Sequence, residues 1–125
     1  MGGWGALVNS FLHPDVFGVV ASHGPSLYGD DGSLPFLGTG AEFARRDPVS
    51  LASSQPITQL QTLQIWMDAG QDDPWLVETL ALHNALTARG IDHTWQSYPG
   101  GHDYEYWRGH VTDYIHFYGQ ALTRK

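Results

Sequence analysis

An α/β fold with a parallel sheet follows from three features of the sequence. Three short apolar runs, at residues 16–21, 62–68 and 93–98, alternate with segments of helical periodicity. The first of these runs, Val16-Phe17-Gly18-Val19-Val20-Ala21, is continuous rather than alternating, as expected of a strand covered on both faces. Helical segments both precede and follow these runs, so the order reads helix–strand–loop–strand–helix–strand–helix.

Trp4, Leu7, Val8, Phe11 and Leu12 recur at helical steps and predict a helix over residues 2–12. His13-Pro14-Asp15 ends it, because the residue before a proline is pushed out of the helical region. The strand at 16–21 follows. From Ser22 to about Leu60 the chain turns to Gly, Ser, Pro and Asp, the composition of a lid, a binding loop or disorder. Within it, Asp47-Pro48 reads as a cap followed by a first-turn proline, giving a short helix over 48–54.

The second strand, 62–68, runs into the loop Ala69-Gly70-Gln71-Asp72-Asp73-Pro74. A helix over 75–89 is expected to present Leu76, Val77, Leu80, Ala81, Ala85 and Ala88, with Gly90 as its left-handed C-terminal cap. The third strand, His93 to Tyr98, is broken by Pro99-Gly100-Gly101. A last helix carries Trp107, His110, Val111, Tyr114, Ile115, Tyr118 and Leu122 at helical spacing, with Asp103 as its cap. No internal repeat or low-complexity tract interrupts this order.

The chain has 125 residues, enough for at most one domain, with no cysteine and thirteen acidic against six basic side chains. Apolar residues make up 42 % of it, so a packed core is expected. The net charge of −7, with Arg45-Arg46 and Arg124-Lys125 as the only adjacent basic pairs, argues against a nucleic-acid surface. No apolar run approaches the roughly 20 residues that span a bilayer. The missing thiols exclude Cys-type zinc sites and leave the compartment open. His83, His93, His110 and His116 are scattered without an H-x-x-x-H pair, so no metal site and no cofactor are expected.

Open α/β sheets gather ligands beyond the carboxyl ends of their strands. Two such loops carry Asp72 and Asp73, and His102, with acid before histidine in chain order. A carboxylate there would hold an imidazole tautomer and stabilise the imidazolium formed on proton transfer. Asp73 has a second reading as a helix cap followed by Pro74, in which case Asp72 would substitute as the acid. His102 in its Gly-Gly turn could equally be a loop histidine without a role. Tyr104 and Tyr106, close to His102, are candidate pocket walls, and residues 24–40 could line a pocket or form a plain loop. No serine lies in a G-x-S-x-G elbow, and Ser26, in Gly24-Pro25-Ser26-Leu27-Tyr28-Gly29, comes nearest.

Met1-Gly2-Gly3-Trp4-Gly5-Ala6 is the run that commonly follows the serine in a nucleophile elbow. With Asp68-Ala69-Gly70-Gln71-Asp72-Asp73-Pro74 and Tyr98-Pro99-Gly100-Gly101-His102-Asp103, it resembles the C-terminal half of the putative-esterase branch of the α/β hydrolases. That branch includes enterochelin esterases, S-formylglutathione hydrolases, feruloyl esterases and mycolyltransferases, and the likeness covers nearly the whole chain. Tyr104-Glu105-Tyr106-Trp107 resembles the aromatic start of the family's last helix.

The resemblance implies that Asp73, with Gly70 as the glycine of its G-x-x-D motif, is the triad acid and that His102 is the base. It also implies that Met1 holds the position whose backbone N–H is an oxyanion donor, and that the serine would precede Met1. Residues 1–125 are then expected to be a partial domain lacking the N-terminal strands and the nucleophile. The implied function is part of a serine carboxylic-ester hydrolase acting on a small-molecule or carbohydrate ester. Two alternatives are a non-catalytic truncated module and an acyltransferase of the same family.

Overall fold

The computed structural model describes residues 1–123, and the Arg124-Lys125 pair lies outside the described residues. Helix α1 spans Gly2–Leu12, as its apolar spacing predicts, and buries Leu7, Val8 and Phe11. The chain then turns, with the backbone N–H groups of Val16 and Phe17 both donating to the carbonyl of His13 at 3.0 Å. These bonds hold Val16 and Phe17 out of the sheet, so strand β1 is Val19–His23, later than the apolar run suggests. Strand β2 is likewise later, at Gln64–Gly70, because Thr62 and Leu63 close a turn on the carbonyls of Gln59 and Leu60. Strand β3 is Thr94–Tyr98.

The three strands form one parallel sheet in the order β1-β2-β3. β2 is central, and Ile65 to Gly70 are all buried. The register sets His23 beside Asp68, and Gly70 beside Tyr98, so β2 and β3 end level and β1 ends two residues short of them.

The stretch expected to be irregular is partly helical. A 3-10 turn at Pro35–Leu37 precedes α2 (Ala41–Ala44), α3 (Pro48–Ser54) and α4 (Ile57–Leu60). α3 has the bounds its cap predicts: Pro48 opens it, and Asp47 Oδ2 accepts from the Ser50 N–H at 2.8 Å. Leu27, Leu51, Ala52 and Leu60 from this stretch join the core, which explains why it is ordered.

Helices α5 (Leu76–Ala88) and α6 (Tyr104–Thr123) complete the chain. Gly90, at φ +65°, ends α5 as predicted: its N–H donates to Thr87 O, and that of Ile91 to Leu86 O. The buried face of α5 differs from the expected stripe. Thr79, Leu82 and Leu86 face inward, while Val77 and Leu80 are exposed. α5 is apolar around most of its girth, so several stripes satisfy the spacing and only packing selects one.

In α6 the buried residues are Tyr106, Tyr114 and Ala121, whereas Val111, Ile115 and Leu122 are exposed. That face is rotated by about one residue from the predicted one. The main core joins α1, α3 and α5 to Val20, Ile65 and Met67 of the sheet. α6 covers the opposite face, where Trp66 packs against Tyr114 and Phe117.

Candidate active site

β2 ends in Gly70 and β3 ends in Tyr98, so the loops leaving them start side by side. Those loops are stitched together: Gln71 N–H donates to Tyr98 O at 2.8 Å and Asp72 N–H to Gly100 O at 2.9 Å. Gly70 permits this closeness, since a Cβ there would collide with the carbonyl group of Gly100. The acid loop and the histidine loop therefore form a single unit at the carboxyl end of the sheet.

Within it His102 Nδ1 donates to Asp73 Oδ2 at 2.9 Å. A carboxylate only accepts, so the ring proton sits on Nδ1 and the lone pair of the neutral imidazole on Nε2. The Asp73 side chain is 1 % exposed and that of His102 is 24 % exposed. Burial shields the pair from competing water while the imidazole keeps an opening to solvent. Asp73 Oδ1 accepts from the Trp75 N–H at 2.9 Å. The carboxylate thus shapes the turn into α5 and holds the histidine at once, but it is not the helix cap expected from Pro74: the N-cap of α5 is Trp75, without a side-chain cap bond.

The other candidates are placed differently. Asp72 is exposed and joins the loop stitch through its backbone, so it is not brought to His102 as a substitute acid. Asp103 Oδ1 accepts from the Tyr106 N–H at 3.0 Å, which makes it the cap of α6. Tyr104 is exposed on the first turn of that helix. Tyr106 is no pocket wall. It is 4 % exposed, and its phenol donates to Asp68 Oδ2 at 3.0 Å on the α6 side of the sheet.

Met1 is exposed ahead of α1, whose first turn lies against the end of β1: a Cβ on Gly3 would meet Ser22 Oγ and come within 3.1 Å of Pro25 Cα. Ser26 is buried in the loop after β1, and among the described residues no serine hydroxyl is hydrogen-bonded to His102.

Asp68 has no signal in sequence. Fully buried on β2, it collects four donors: His23 Nδ1 at 2.7 Å, Trp66 Nε1 at 2.8 Å, Tyr114 OH at 2.9 Å and Tyr106 OH at 3.0 Å. Burial, followed by the neighbouring Asp68 charge, pushes both phenols well above the ordinary tyrosine range. This cluster fastens β1 and α6 to β2 directly behind the His102 loop, and Gly24 N–H donates to the Asp68 carbonyl at 2.8 Å.

His83 and His93, far apart by spacing rules, do meet. His93 Nδ1 donates to Ile91 O at 2.8 Å, and His83 Nδ1 and His93 Nε2 share a hydrogen bond, also at 2.8 Å. Burial, then the proximity of His93, lowers the pKa of His83. Among the described residues no group of three or more ligating side chains could hold a metal ion.

Comparison with known proteins gives one family model, described as "Putative esterase", matching residues 1–118. The iron(III) salmochelin esterase of Escherichia coli O6:H1 (strain CFT073) is 30 % identical over 118 residues, covering 92 % of this chain and 28 % of that protein. A solved ferulic acid esterase superposes with a TM-score of 0.82 at 22 % identity, covering 97 % of this chain and 48 % of its own. The S-formylglutathione hydrolase of Staphylococcus aureus superposes with a TM-score of 0.67 at 20 % identity, covering 94 % and 47 %. These two structures are α/β-hydrolase esterases, and the fold described above is theirs. The chain spans about half the length of the solved structures and less of the salmochelin esterase.

Proposed function

The chain belongs to the Putative esterase family, and on that premise we propose that it supplies the acid and the base of a serine carboxylic-ester hydrolase. The observation that carries this reading is the buried Asp73 carboxylate on His102 Nδ1 at 2.9 Å. That bond leaves the Nε2 lone pair of His102 for a nucleophile's proton. The nucleophile is a serine encoded just before Met1, on a strand that would pair with β1.

One further relationship supports that placement. The segment Ser22–Pro25 is packed by Gly3 of α1 on one side, while Gly24 within it borders Asp73 and His102. The start of α1 and the imidazole therefore border the same strand end.

In the reaction, the serine hydroxyl attacks the ester carbonyl as His102 Nε2 takes its proton. Asp73 keeps the ring oriented and offsets the positive charge that forms. The Met1 backbone N–H, at the head of α1, is one donor to the oxyanion. His102 then returns the proton to the departing alkoxide, and water, deprotonated by the same nitrogen, releases the acid. The substrate is a small-molecule or carbohydrate ester. The similar proteins named as a salmochelin esterase and a ferulic acid esterase support this substrate class.

The test begins with the codons upstream of Met1. An in-frame Gly-x-Ser leading into Met1 is expected, and the full-length product should react with a fluorophosphonate at that serine. His102→Ala should abolish the labelling. An upstream sequence without that serine, or labelling indifferent to His102, would sink the reading.

A further inference from the structure

Two tryptophans meet the His102 ring from different elements. Trp75 belongs to the turn after Asp73, with its ring centroid 4.7 Å from the imidazole and the planes at 67°. Trp107 belongs to the first turns of α6, with its centroid at 5.0 Å and the planes at 83°. Neither is part of the main core. The indole Nε1 of Trp107 is buried and, among the described residues, has no hydrogen-bond partner.

That orphaned nitrogen lies beside the Asp73–His102 pair. A Cβ on Gly24 would come within 3.2 Å of Trp107 Nε1, 3.3 Å of Asp73 Oδ2 and 3.4 Å of His102 Nδ1. The indole edge, the carboxylate and the imidazole thus converge on the bare side of Gly24, whose φ of +62° is itself suited to glycine. A β-carbon there would crowd all three.

We propose that Trp75 and Trp107 are positioning residues that form a slot for the His102 ring, with Gly24 as its floor. The inference rests on the reading of His102 as the base. Its physical need is plain: His102 follows Gly100-Gly101, a flexible lead, and one hydrogen bond to Asp73 does not fix the plane of the ring. Two indoles set at 67° and 83° to its plane, in T-shaped contacts, do fix it.

The test uses the far-downfield proton resonance of His102 Nδ1–H, identified by its loss in His102→Gln, in the 125-residue chain. Trp75→Leu and Trp107→Leu are expected to broaden or erase it while the cooperative melt is kept. Trp75→Phe and Trp107→Phe, which retain a ring, should restore it, and Gly24→Ala should erase it. In the full-length product the Leu variants should lose about 10- to 100-fold in kcat with KM unchanged.

A sharp resonance surviving both Leu variants would overturn the slot. So would Leu variants that lose the cooperative melt, since the tryptophans would then be structural. Ester hydrolysis that survives His102→Ala is a separate failure, that of the base itself.

Discussion

Asp73 divides its two carboxylate oxygens between His102 and Trp75: Oδ2 accepts from the imidazole and Oδ1 from the backbone N–H, each at 2.9 Å. One side chain is thereby committed both to the start of α5 and to the tautomer of the histidine. The two duties separate on substitution. Asp73→Asn keeps an oxygen for the Trp75 N–H but cannot hold an imidazolium. In the full-length product, ester hydrolysis should fall by about 10⁴-fold while thermal stability stays close to that of the parent. Asp73→Ala should lose the activity and about 1 kcal/mol of stability besides. Equal melting temperatures for the Ala variant and the parent would show that the Oδ1 contact does not shape the turn.

Gly70 makes a prediction about assembly rather than chemistry. Its Cα faces the Gly100 carbonyl group so closely that any β-carbon must push the two loops apart. Gly70→Ala should destabilise the fold by about 1–3 kcal/mol in urea denaturation. It should also weaken the Asp72–Gly100 and Gln71–Tyr98 bonds, seen as faster amide exchange at Gln71 and Asp72. Unchanged exchange at both amides would show that the loops do not need this contact.

Among the described residues β1 is paired on one side only, and a groove of about 350 Å³ runs along it, lined by Ala6, Phe17, Val19, Ala21 and Tyr118 among others. An unpaired parallel edge beside exposed apolar side chains recruits other chains. The 125-residue chain should associate as its concentration rises in sedimentation velocity, and Phe17→Lys should suppress this. A single monomeric boundary across the accessible concentrations would count decisively against it.

How much of this was legible in the sequence depends on how local the cause is. α1, α3, the Gly90 cap and the Asp103 cap are set by neighbours within a few residues, and each was read correctly. Asp73 and His102 could be paired because parallel strand order brings consecutive strand-end loops together. Asp68 could not be read, because its role is created by His23, Trp66, Tyr106 and Tyr114, which only the folded sheet brings to it. The same carboxylate explains the rotated face of α6. Tyr106 and Tyr114 turn inward to donate to it, which leaves Val111 and Ile115 outside. Trp75 and Trp107 looked like the start and the stripe of two helices, and nothing in their spacing pointed to His102.

The Asp68 cluster should govern the alkaline limit of stability. The phenols of Tyr106 and Tyr114 are held above the ordinary tyrosine pKa of 10.0, by burial first and by the Asp68 charge and hydrogen bond next. Their folded-state values are raised, so the stabilisation is fully present below pH 10 and is lost as pH climbs toward the folded values. Above pH 10 the unfolded chain sheds these protons and the folded one cannot, so unfolding is favoured more with each step. Phenolate absorbance should therefore show the exposed Tyr104 ionising ahead of Tyr98 and Tyr118, which are also raised, with Tyr106 and Tyr114 appearing only as the circular dichroism collapses. Tyr106→Phe and Tyr114→Phe should each remove one phenol from that late step. Asp68→Ala, which leaves four donors without their acceptor, should cost about 3–5 kcal/mol at neutral pH. All tyrosines titrating together near pH 10 with the fold intact would show that Asp68 does not clamp α6 to the sheet.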